Sequence, residues 1–116
     1  VALFDQTVTI ANGTTTSPAV NTGLTSNYSE TQLVGVTFPA SMTGTTMTFE
    51  RATTETGTYT PIREVGGASR YSITITSGET ITVDPRVFIV APFLKLVSGS
   101  SETGAKTITL HFSEVV

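Results

Sequence analysis

For acid–base and metal chemistry this 116-residue chain offers one histidine and nine acidic residues, with no cysteine. Nucleophilic catalysis needs a base held beside the nucleophile. His111 stands between Leu110 and Phe112, so on a strand it points away from the face those two share. That makes it an outward surface residue. Metal binding needs converging ligands, and the two aspartates, Asp5 and Asp84, are far apart in sequence. Glycoside hydrolysis needs two carboxyl groups about 5–10 Å apart in a cleft. Glu50, Glu55, Glu64, Glu79 and Glu102 fall mostly in turn segments or at outward strand positions, where solvation accounts for them. Gly66-Gly67 has no helix after it and reads as a turn, not a phosphate loop. The expectation is a protein that is not an enzyme, with no catalytic residue, no metal and no cofactor.

The elements that would carry these residues are strands. Phe4, Gln6, Val8 and Ile10 alternate with Asp5, Thr7 and Thr9, the period-2 signature of a half-buried strand. Asn12-Gly13 follows as a turn, and Pro18–Thr22 suits a short return strand. In Gln32–Phe38 the alternation puts Val34, Val36 and Phe38 on one face and Leu33, Gly35 and Thr37 on the other. Thr45–Arg51 repeats the pattern with Met47 and Phe49. Thr58–Val65 contains Pro61, which has no N–H for a ladder and marks an edge or bulged strand. Tyr71–Thr76 and Thr80–Val83, joined at Ser77-Gly78, read as a hairpin. Asp84–Ala91 is irregular, with a single helical turn around Val87-Phe88. Phe93–Val97 is apolar enough for a central strand, and Lys106–Val115 closes the chain with Ile108, Leu110 and Phe112 inward. Eight or nine short strands separated by turns predict an all-β, single-domain antiparallel β-sandwich, jelly-roll-like, spanning residues 1–116.

Composition narrows the partners. The six basic residues are scattered and the net charge is -3, which argues against the concentrated positive patch that nucleic acid requires. No apolar run reaches the roughly 20 residues of a membrane-spanning helix, and the start of the chain lacks a signal-peptide pattern. Threonine makes up about a fifth of the residues, far above ordinary usage. A threonine-rich exterior poor in charge suits adhesion to other surfaces. A chain of this mass should keep roughly 6,000 Å² exposed when folded.

Three stretches resemble a known group. They are FPASMTGTTMTFE (Phe38–Glu50), Gly57-Thr58-Tyr59, and ITVDPRVFIVAPFLKLVSGS (Ile81–Ser100), followed by KTITL (Lys106–Leu110). The opening TVTIANGTTTSPAV (Thr7–Val20) is similar as well. Together they resemble small β-sandwich virion proteins of tailed bacteriophages. There are departures. Glu55 and Thr56 stand where such proteins carry Asp-Gly, and Pro61 weakens the strand after Tyr59.

What the resemblance implies is a capsid decoration (cement) protein or a related head or tail accessory. Its partners would be the major capsid protein and copies of itself, as homo-oligomers such as trimers at threefold positions. It would be made in the bacterial cytoplasm and located on the virion surface. Under that reading the apolar start of the chain, Val1, Ala2, Leu3 and Phe4, is the candidate contact segment. The competing assignment for Leu3 and Phe4 is simply the beginning of the first strand. A second function is carbohydrate binding by a fibre module, with Tyr28, Tyr59 and Tyr71 as aromatic platforms.

Overall fold

A computed structural model describes residues 3–22 and 31–114. Among the described residues nine strands form two antiparallel sheets: β1 (Leu3–Ile10), β2 (Val20–Asn21), β3 (Thr31–Thr37), β4 (Thr46–Ala52), β5 (Thr60–Pro61), β6 (Ser72–Thr74), β7 (Thr80–Thr82), β8 (Phe93–Ser98) and β9 (Lys106–Glu114). One sheet has the order β1-β9-β3-β7. The other runs β2-β8-β4-β5, with β6 also paired to β4. If β5 and β6 are counted as one interrupted strand, this is the eight-strand order of a jelly roll. The chain keeps 6091 Å² accessible, close to the expectation from its mass.

The core lies between the sheets. Val8, Ile10, Leu33, Val36, Ile108, Leu110 and Phe112 enter from one side, and Met47, Phe49, Ile73, Leu94 and Leu96 from the other. The expected alternation holds in β1, β4 and β9. In β3 it breaks. Leu33 pairs with Phe112 and Gly35 with His111, which leaves Val34 as the extra residue of a bulge. The bulge shifts the phase, so Leu33 and Val36 both point inward while Val34 is only half-buried. Strict period-2 reading places Leu33 outside because a bulge cannot be seen in the pattern.

The expected hairpin of Tyr71–Thr76 with Thr80–Val83 is not formed. β6 pairs with β4 in one sheet and β7 with β3 in the other. Gly78, at φ 76°, turns the chain across the sandwich, and its N–H goes to the carbonyl of Pro39. Asn12-Gly13 behaves in the same way. It sends the chain from β1 over to β2, and the Asn12 Oδ1 accepts from the Gly104 N–H at 2.7 Å. Both turns are local, but which strand each half then joins is decided by distant partners.

At the opposite end, a 3-10 turn (Pro85–Val87) is capped by Asp84, whose side chain accepts from the Arg86 N–H. The turn drives Phe88 inward. Phe88 packs edge-on against Phe49 at 4.9 Å and against Tyr71 at 5.6 Å between ring centroids. Such pairs add about 0.5–1.5 kcal/mol each beyond burial.

One acidic residue departs from the expected solvated role. Glu102 is only 1% exposed. Its Oε1 accepts from the Thr43 N–H, and its Oε2 accepts from the Gly44 N–H and the Ser98 hydroxyl, all within 2.7–2.9 Å. Its main chain exchanges hydrogen bonds with Gly13 and Thr14. Burial works to raise the Glu102 carboxyl. The Ser98 hydroxyl, the Thr43 and Gly44 amides and the charge of Lys106 outweigh it and hold the group below the ordinary glutamate range. Gly44 has to be glycine, because a Cβ there would sit 2.0 Å from the Ser98 Oγ and 3.0 Å from the Glu102 Oε2.

A carboxyl lowered on folding contributes stability above its unfolded pKa, and that contribution is lost as pH falls through the folded value. Glu102→Gln should therefore destabilise the protein by about 2 kcal/mol at pH 7. The gap between wild type and variant should close as pH drops below the usual glutamate value of 4.5. Urea unfolding midpoints between pH 7 and pH 3 measure this, and a gap that stays constant over that range would contradict it.

Candidate functional site: the open edge of the first strand

β1 lies at the end of its sheet, paired with β9 over its whole length from Leu3↔Ser113 to Ile10↔Lys106. Every second residue of such a strand turns its N–H and C=O away from the partner. Among the described residues the other sheet-end strands are only two or three residues long, and β5 ends in Pro61. β1 is eight residues long and has no proline, lysine or bulge. By length and composition it is the edge best suited to meeting another chain.

Its first residues are apolar and uncovered. Leu3 is 72% and Phe4 46% exposed. Phe4 shares the inward face with its partner Phe112, yet Phe112 is buried and Phe4 is not. Leu3, one residue away, points to the outer face. Together they put apolar surface on both sides of one sheet corner. Both begin the first strand, as the competing assignment has it. Val1 and Ala2 lie outside the described residues, as does Tyr28.

The outer face of this sheet fastens the edge strand. Asp5 sits directly opposite His111, and its Oδ1 is 2.8 Å from the His111 Nδ1. The His111 Nε2 is 2.6 Å from the Thr37 Oγ1, which is 2.6 Å from the Thr80 Oγ1. A carboxylate only accepts, so the Nδ1 carries the proton. When the ring is neutral, its Nε2 accepts from the Thr37 hydroxyl. The order Asp-His-Thr has the polarity of a nucleophile relay, but Thr37 is paired on both sides, to Thr80 and Thr109. The next amide along, that of Phe38, is taken by the Glu79 carbonyl. His111 points outward as expected. What the sequence alone did not reveal is the line of side chains from Asp5 to Thr80, which joins four strands that meet only in the folded sheet. The available signal was that all four sit at outward positions.

Tyr59 and Tyr71 are each engaged within their own surroundings. Tyr71 packs its ring against Phe49 and Phe88, and its hydroxyl accepts from the Asp84 N–H. The Tyr59 hydroxyl donates to the Glu55 carbonyl, and the Lys95 ammonium lies 4.3 Å from its ring centroid. Among the described residues no three His, Asp or Glu side chains gather as a metal site. No helix there is long and apolar enough to cross a membrane.

His111→Ala removes the cross-strand tie and the Thr37 contact. It should lower stability by about 1 kcal/mol and speed amide hydrogen exchange first in β1. Exchange that rises uniformly through both sheets would show that the tie does not act on this edge.

Compared with known protein families and with curated protein sequences, the chain matches none.

Proposed function

We propose that this protein is a virion structural protein of a tailed phage, a decoration protein that adheres to the capsid lattice and stabilises it. The observation that carries the reading is the β1 edge, which among the described residues no second strand pairs, with Leu3 and Phe4 exposed at its start. Main-chain groups and apolar side chains at one corner are what strand-edge adhesion uses. The jelly-roll order supports it as an analogy, since that fold recurs in capsid proteins and lectins. The resemblance of the Phe38–Glu50 and Ile81–Ser100 stretches supports it further, because its motifs meet real structural demands. Asp84-Pro85 builds the corner that seats Phe88. Ser98 supplies the hydroxyl that Glu102 needs.

Adhesion at many equivalent sites multiplies weak contacts through avidity. A standard interface buries roughly 800 Å² per partner, a modest share of this surface. The glycan-binding reading is less well supported. Tyr71 is committed to the core cluster and Tyr59 is held by its own loop and Lys95.

The test uses capsids of the encoding phage assembled without this protein. Purified protein should co-sediment with them saturably and occupy symmetry-related positions by cryo-electron microscopy. Leu3→Asp should weaken binding at least about tenfold, while unfolding stability changes by no more than about 0.5 kcal/mol, as for other exposed positions. Absence of binding to such capsids would overturn the proposal, and a specific glycan-array signal would favour the alternative.

A further inference from the structure

Between β5 and β6 the chain leaves the edge of β4 and returns. Residues 62–71 fold back on themselves, with Arg63 opposite Arg70 and the Tyr71 N–H donating to the Ile62 carbonyl. This excursion and the Asp84–Ala91 corner enclose an open groove of about 410 Å³, within the range of small-ligand clefts. Arg51, Arg63 and Arg86 line it together with Val65, Val87 and Val90.

Two scarce kinds of surface coincide here. The chain has six basic residues and a net charge of -3, yet three of the six line one groove. A fourth, Arg70, stands across from Arg63. Like charges directly opposite each other on paired strands repel, and a bound anion relieves that repulsion. Arg86 is paired with Asp84 at 2.9 Å. Arg51 and Arg63 form no ion pair among the described residues. Each holds only a carbonyl, that of Val90 at 2.7 Å and of Gly67 at 3.2 Å. Those single bonds orient the guanidinium groups and leave other N–H donors free. Arginine, not lysine, suits two-point recognition of carboxylate. Val65, Ile89 and Val90 are each at least half exposed, and Val65 and Val90 lie on the groove itself.

The geometry points to this groove as a docking site for a short segment of another protein in which an Asp or Glu is flanked by aliphatic residues. The carboxylate meets Arg51 and Arg63, and the aliphatic side chains lie on Val65 and Val90. A polyanion such as nucleic acid is disfavoured by the overall negative charge and gains nothing from the valines. The inference stands apart from the capsid reading, since it uses neither Leu3 nor Phe4.

The experiment is an NMR titration of the ¹⁵N-labelled protein with Ac-Leu-Glu-Val-Asp-Leu-NH2, its neutral counterpart Ac-Leu-Gln-Val-Asn-Leu-NH2, and sodium acetate. The acidic peptide should shift the amides of Arg51, Arg63, Val65, Val87 and Val90 saturably. The neutral peptide should bind at least about tenfold more weakly, and added salt should weaken the acidic one. Arg63→Gln should reduce its affinity about tenfold, the size expected for one charge-assisted contact, with the remaining spectrum unchanged. Equal binding of both peptides, the same shifts from acetate at equal concentration, or no saturable shift from either peptide at millimolar levels would overturn the inference.

Discussion

A carboxylate shut away from water organises one whole end of this sandwich. Four connections cross between the sheets there: β1 to β2, β3 to β4, β6 to β7 and β8 to β9. Glu102 sits in the last of them. Its side chain takes N–H groups from the β3–β4 connection and its main chain pairs with the β1–β2 connection. The β6–β7 connection joins through Gly78 to Pro39 and through the Ser77 hydroxyl, which accepts from the Met42 N–H. An unpartnered buried charge is expensive, so all three donors must arrive together. Residues far apart in sequence are thereby held in one arrangement.

The other end is held mainly by packing. Phe49, Tyr71 and Phe88 form an aromatic cluster, and the Asp84-Pro85 turn fixes the angle at which Phe88 enters. Polar groups near the cluster are matched, with the Tyr71 hydroxyl taking the Asp84 N–H. This end carries the features open to partners. The first residues of β1 lie at the end of that strand away from Ile10 and the Glu102 loop. The arginine groove uses the corner itself. The Glu102 crossings gather at one end, and exposed Leu3 and Phe4 and the arginine groove lie away from them.

Much of the fold was legible because burial imposes a local period. Ile108, Leu110 and Phe112 announce an inward face, and they are buried. Pro61 announces an edge, and β5 is one. The site was only partly legible. Leu3 and Phe4 are apolar, but their exposure depends on how far the opposing sheet reaches. Glu102 looks like any acidic loop residue until Thr43, Gly44 and Ser98 are brought around it. Arg51, Arg63 and Arg86 are scattered in sequence and meet at one groove.

The sequence describes a small all-β domain with few groups able to do chemistry. Strand positions, the turn residues and the β-sandwich class followed from sequence alone, because alternation and turn geometry are properties of neighbouring residues. Tertiary structure decided which sheet each strand joins, where β3 bulges, and which polar residues lose their water. Those outcomes depend on contacts between segments tens of residues apart. Thr76–Thr80 makes the point: its turn was readable, but whether it closed a hairpin or crossed the sandwich rested on Pro39, β3 and β4.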